Sequence, residues 1–310
     1  MMRSLTLAPI RPRNAVAWLG SNRGREALAG YLFLAPFLFF FIIFIVRPVV
    51  TSVQMSFYRW EVLMPVHPYI GLDNYANLLR DDLWWLTLKN TIVFTLLTSA
   101  GTTVLSLFIA LGIKGPILGQ TFYRVVFYAP TLLSVSVVSI IWMWLLNTQF
   151  GLVNYALNAF GLPRVNWLGD PGLVLPSLAL TTVWWSFGFP MLIFLAGLQG
   201  IPEHLYEAAE IDGASRLQRF WRITLPLLRP TILFVTVTQV IAHFQLFVQS
   251  FIMTGGGPGR SSYSVIMYLY QTAWRYFQMG YGATIAIALA VVILIFTLIQ
   301  FRFISARVEY

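Results

Sequence analysis

Residues 201–226 read Ile201-Pro-Glu-His-Leu-Tyr-Glu207-Ala-Ala-Glu-Ile-Asp212-Gly213-Ala-Ser-Arg-Leu-Gln-Arg-Phe220-Trp-Arg-Ile223-Thr-Leu225-Pro226. Pro202 opens a short helix at a place where its missing N–H costs nothing. Glu203, Glu207 and Glu210 recur at helical spacing and make an acidic face, while Leu205, Ala208 and Ala209 make a small apolar one. Asp212-Gly213 is a turn, with glycine where a helix C-terminus calls for positive φ. Ser215 followed by Gln218 is a capping-box pattern that starts a second short helix, which Pro226 is expected to end before the chain resumes near Pro230. The stretch is therefore a helix–turn–helix. Its residues alone leave two roles open: a connector lying at a membrane surface, or a helix that inserts into a cleft on another protein.

Working outward, long apolar runs flank this stretch. A membrane span needs roughly 20 mostly apolar residues to cross about 30 Å of hydrocarbon. Six segments qualify, at about 31–53, 91–113, 123–146, 173–198, 230–253 and 283–303, the first interrupted near its outer end by Arg47-Pro48. Composition agrees: 58% of the 310 residues are hydrophobic and 10% charged, against about a quarter charged in a soluble domain. The expected fold is thus an all-α membrane protein with about six transmembrane helices. Its parts are a segment 1–29, a transmembrane domain 30–305 with the inner loop 200–229, and a tail 306–310. The first 29 residues are basic and precede the first apolar run, so that run reads as a retained span and not a cleaved signal.

The basic residues set the orientation. With the N-terminus inside, 13 of the 20 Lys and Arg fall on inner segments, among them Arg216, Arg219, Arg222 and Arg229. Outer segments carry Trp60, Trp84, Trp85, Trp167, Trp274 and Tyr276, which suit the headgroup region. Both termini are expected in the cytoplasm, with the chain multi-pass in the cell membrane. The net charge of +9 follows from topology and anionic lipid, and no basic stripe points to nucleic acid.

Catalytic chemistry is missing. Of the three histidines only His243 falls in an apolar run, and there is no cysteine, no HExxH pair and no Gly-x-Ser-x-Gly elbow. The two lysines, Lys89 and Lys114, are followed by Asn90 and Gly115, so neither completes a P-loop. If ATP drives the process, another subunit holds it.

Glu207-Ala-Ala-x-x-Asp212-Gly213-Ala, followed by Phe220, Ile223-x-Leu225-Pro226 and Pro230, resembles the EAA signature of binding-protein-dependent ABC importer permeases. Gly71-Leu-Asp-Asn-Tyr75, Thr254-Gly-Gly-Gly-Pro258, Tyr268-x-Tyr270 and Gly280-Tyr281-Gly282 are similar to the carbohydrate-type members, although the large outer insertion of the maltose version is absent. The resemblance implies a type I importer transmembrane fold and a coupling helix docked on a separate cytoplasmic ATPase. Glu207, Ala208 and Ala209 would contact that ATPase. Asp212 and Gly213 would form the sharp turn, and Ile223, Leu225 and Pro226 would hold the second helix against the membrane core. It also implies a second permease subunit in a heterodimer, two ATPase subunits that bind ATP and Mg, and an external solute-binding protein. The chain itself needs no cofactor, metal or catalytic residue, and the solute is a sugar or sugar-like molecule.

Transport sites commonly lie near the bilayer midplane. There the fifth span offers Gln239 and His243 on one helical face with Ala242 and Leu246, while Gln245 and Gln249 fall on a different face of a regular helix. The fourth span adds Trp184, Trp185, Ser186 and Phe189. Amides, imidazole and aromatic rings suit an uncharged sugar. The same Gln and His would also serve simply to bond a neighbouring helix. No Lys or Arg lies at span depth, which counts against a strongly anionic solute. The alternative is a self-contained secondary transporter or channel, which calls for an intramembrane acid that the spans do not offer.

Overall fold

The structure, a computed structural model, describes residues 22–115 and 118–304. The expected terminal segments 1–21 and 305–310 lie outside the described residues. Packing divides the chain into two units, one ending at Gln54 and one starting at Met55. The first holds α1 (Asn22–Phe41), a π-turn (Ile42–Val46) and most of α2 (Arg47–Ser56). The second runs through α3 (Asp73–Arg80), α4 (Asp82–Ile113), α5 (Gln120–Tyr128), α6 (Val135–Leu145), α7 (Leu152–Ala159), α8 (Val174–Ser186) and α9 (Gly188–Gln199). It continues with α10 (Glu203–Ile211), α11 (Arg216–Arg219), α12 (Arg229–His243), α13 (Val248–Thr254), α14 (Val265–Tyr270) and α15 (Met279–Ile304). Among the described residues the only β-pairing is two isolated bridges, Tyr58 with Tyr69 and Glu61 with Gln278.

Among the described residues three helices are long and apolar enough to cross a membrane, and up to six spans result if each of three bent pairs is one crossing. The bends sit at prolines. Pro130 lies in the 3-10 turn between α5 and α6, which meet at 94°. Pro190 enters the first turn of α9, where its ring would clash with the carbonyl of Ser186 four residues back, and α8 and α9 part by 54°. Pro230 stands second in α12, which leaves the preceding helical segment at 66°.

Two proline expectations are corrected. Arg47-Pro48 does not interrupt the first span, and Pro226 does not end the helix that follows Ser215. In each case a five-residue π-turn precedes the X-Pro pair: Ile42–Val46, closed by Arg47 N–H on the Ile42 carbonyl, and Phe220–Thr224, closed by Leu225 N–H on the Phe220 carbonyl. The extra residue widens the turn that a proline would otherwise obstruct. Helix then persists to Ser56 and to Leu227.

α4 is the axis of the second unit, packed against α8 and α9 on one side and α12 on another, with α15 behind α12. It starts about nine residues before the expected edge, because the Asp81 carboxylate accepts the Leu83 N–H at 2.9 Å and caps the helix. Thr87, Thr91, Thr95, Thr98, Thr102 and Ser106 recur along its buried face. Thr91 and Thr98 donate to carbonyls four residues back, satisfying themselves within the helix. Small residues let helices approach closely: a Cβ on Gly101 would come within 2.9 Å of Val183.

Candidate functional site

A cavity of about 410 Å³ opens in the middle of the second unit. All five residues anticipated for a solute pathway, Trp185, Ser186, Phe189, Gln239 and His243, line it. The kink between α8 and α9 supplies the first three, and the last turns of α12 supply the other two. Trp184 is not among them; its ring meets Trp142 edge-on at 5.6 Å. Gln239 and His243 are buried. Ser99 on α4 and His243 Nδ1 are hydrogen-bonded at 3.1 Å, and the Phe94 ring stands edge-on to the imidazole at 6.3 Å. Trp185 is pinned at both ends, its indole N–H donating to the Leu133 carbonyl at 2.9 Å and its own carbonyl accepting from Thr131 at 3.2 Å.

The fifth span departs from expectation here. Helix does not run from 230 to 253 but stops after His243 and resumes at Val248. Ser264, which caps α14, donates to the Leu246 carbonyl inside the break. The break turns Gln245 and Gln249 into the cavity beside Gln239, contrary to the separate face expected for a regular helix. Gln249 donates to Thr182 Oγ1 at 3.4 Å, and Thr182 lines the same space. Sequence periodicity missed these residues, and only a signal for the break would have found them. Among the described residues no Asp, Glu, Lys or Arg lines the cavity. Among the described residues no cluster of His, Asp or Glu could hold a metal.

The loop 200–229 adopts the expected helix–turn–helix. α10 ends in a Schellman turn: Gly213 has φ +75°, its N–H reaches the Glu210 carbonyl at 3.0 Å, and Ala214 N–H reaches Ala209 at 2.9 Å. The capping box is formed on both sides, Gln218 N–H to Ser215 Oγ and Ser215 N–H to Gln218 Oε1. Arg219 spans the turn to Glu210 at 2.9 Å. Glu207, Ala208, Asp212 and Gly213 are exposed, and Ala209, Ile223, Leu225 and Pro226 are half-buried. The burial that anchors the second limb falls instead on Thr224 and Leu228, the latter packed with Leu198 and Val235. Tyr206 donates to or accepts from Thr224 Oγ1 at 2.9 Å, tying the two limbs together.

At the opposite end of α4, Asp81 accepts hydrogen bonds from Tyr268 and, at 2.8 Å, from Tyr281. Burial pushes the Asp81 carboxyl up. The two phenols and the Leu83 and Trp84 N–H groups outweigh that and hold it below its ordinary value.

A bundle of kinked spans around an uncharged cavity, with an exposed acidic helix on one face, defines a permease subunit. The chain belongs to the binding-protein-dependent transport system inner membrane components, whose family pattern matches residues 102–309. It is 34% identical to the sulfoquinovosyl glycerol transport system permease protein SmoG of Agrobacterium fabrum, over 91% of this chain and 92% of the relative. It is likewise 34% identical to the trehalose/maltose transport system permease protein MalF of Thermococcus litoralis, over 90% and 94%. A chain of a bacterial ABC transporter involved in the import of the acidic polysaccharide alginate superposes with a TM-score of 0.76 at 25% identity, covering 90% of this chain and 96% of that one. The fold is that of an ABC importer transmembrane domain.

Proposed function

We propose that this chain lines the translocation pathway of an ATP-driven importer for an uncharged sugar or sugar-like solute. The observation that carries this is the cavity lining. Gln239, Gln245, Gln249, His243 and Ser186 supply hydrogen-bonding groups, Trp185 and Phe189 supply ring faces, and no side chain of fixed charge faces the space. The relative named for trehalose/maltose supports a neutral carbohydrate-type solute.

ATP and Mg are held by two partner ATPase subunits, since this chain has no phosphate loop. α10 docks on one of them through Glu207, Ala208 and Ala209, while Asp212 and Gly213 shape the turn. A second permease subunit completes the pathway, and a solute-binding protein delivers the solute from outside. Both termini lie in the cytoplasm. Closing the ATPase dimer moves the loop, and the spans turn from inward- to outward-open. Reciprocity requires that solute and binding protein also alter ATPase engagement.

Uptake into proteoliposomes holding the whole complex tests the solute. Neutral mono- and disaccharides should compete with one another, and uronic acids or sugar phosphates of the same size should compete at least about tenfold less well. Equal competition by the acids would refute the uncharged-solute reading.

A further inference from the structure

α4 is one unbroken helix of 32 residues, about 48 Å long at 1.5 Å per residue, and it touches each functional region in turn. At one end Asp81 caps it and gathers Tyr268 and Tyr281. At mid-length Ser99 meets His243 in the cavity wall. At the other end Lys114, the residue that closes the helix, places its ammonium 4.2 Å from the centre of the Tyr206 ring. Tyr206 sits on α10 one residue before Glu207 and bonds Thr224 on the second limb of the loop.

From Trp185 and Ser186 the chain crosses the 54° kink between α8 and α9 before it reaches the loop, with Phe189 on the loop side of that kink, and from α12 it turns by 66° before it reaches the second limb. A kink absorbs displacement, whereas a continuous hydrogen-bonded helix carries it along its axis. Lys114 is also specifically committed. Glu203, Glu207 and Glu210 line the same surface pocket, yet Lys114 makes no ion pair among the described residues and spends its charge on the ring face.

We propose that Lys114 is a positioning residue for coupling: by gripping Tyr206 it makes α4 the strut through which occupancy of the cavity at His243 is felt at α10. This rests on the importer reading above. The test is the ratio of solute-stimulated to unstimulated ATPase activity in the complete complex with its binding protein. Lys114→Met should lower that ratio by about fivefold, the lower end of ordinary coupling strengths. Lys114→Arg should restore it, because a guanidinium also sits over a tyrosine face. Tyr206→Leu should match Lys114→Met, and the double variant should be no worse than either alone. Should Lys114→Met not assemble, Tyr206→Leu against Tyr206→Phe reads the same contact from the other side. A normal ratio in Lys114→Met, failure of Lys114→Arg to restore it, or multiplying defects in the double variant would each overturn the strut. A wild-type complex with no solute-stimulated activity would instead refute the importer reading itself.

Discussion

The loop 200–229 and the broken fifth span are built by opposite logics. In the loop every structural instruction is local: Gly213 ends one helix, the Ser215–Gln218 box starts the next, and Arg219 closes on Glu210 nine residues away. In the fifth span the helix breaks between His243 and Val248, the Ser264 hydroxyl at the start of another helix donates to the Leu246 carbonyl inside that break, and Gln245 and Gln249 line the cavity. The proposed docking surface is thus written in contiguous residues, and the proposed solute cavity is assembled from breaks in several spans.

Four substitutions probe this contrast. Gly213→Val should have the largest effect. An added Cβ meets nothing within 4 Å, so any defect comes from the left-handed backbone, which disfavours a β-branched residue by roughly 1–2 kcal/mol or more. Misdirection of α10 should cut solute-stimulated ATPase activity by at least about tenfold. Retention of full activity would mean that the turn does not set the docking geometry. Gln249→Leu and Gln245→Leu sharpen the other side. With the break in place each should raise the half-saturating solute concentration by about five- to tenfold, the worth of one polar contact. A continuous helix would point both away, and neither change would matter. Ser215→Ala should be milder, lowering stability by about 1 kcal/mol through loss of one cap, read as a drop in melting temperature of the solubilised subunit.

The smallest effect is at Asp81. Because its folded pKa lies below the ordinary carboxylate value, its stabilisation is present at neutral pH and disappears as pH falls through that folded value. Melting temperature should therefore be flat from pH 7 to about pH 5 and fall only in stronger acid, and Asp81→Asn should remove that part of the fall. A loss centred near neutral pH would point to another group.

How much was legible follows from the same contrast. The apolar runs, the two-helix loop and the polar and aromatic character of Gln239, His243, Trp185, Ser186 and Phe189 could be read from residue type and spacing, but not which of them share a cavity, since Trp184 in the same run lies outside it. The faces of Gln245 and Gln249 could not, because helical periodicity assumes an unbroken helix. Pro48 and Pro226 misled in the other direction. Sequence shows the missing N–H, but not the π-turn that accommodates it. Thr224 and Leu228 were overshadowed by the motif residues beside them, and their burial became visible only once α9 and α12 were packed against the loop.

The most direct test is solute-stimulated ATPase activity of the co-purified complex, comparing wild type with Glu207→Lys. The expected result is that the ATPase co-purifies with the wild-type permease, that solute and binding protein stimulate it, and that Glu207→Lys abolishes stimulation while the permease still inserts. If no ATPase accompanies the wild-type chain, or if Glu207→Lys transports normally, the loop is a connector and the coupling role assigned to it is wrong.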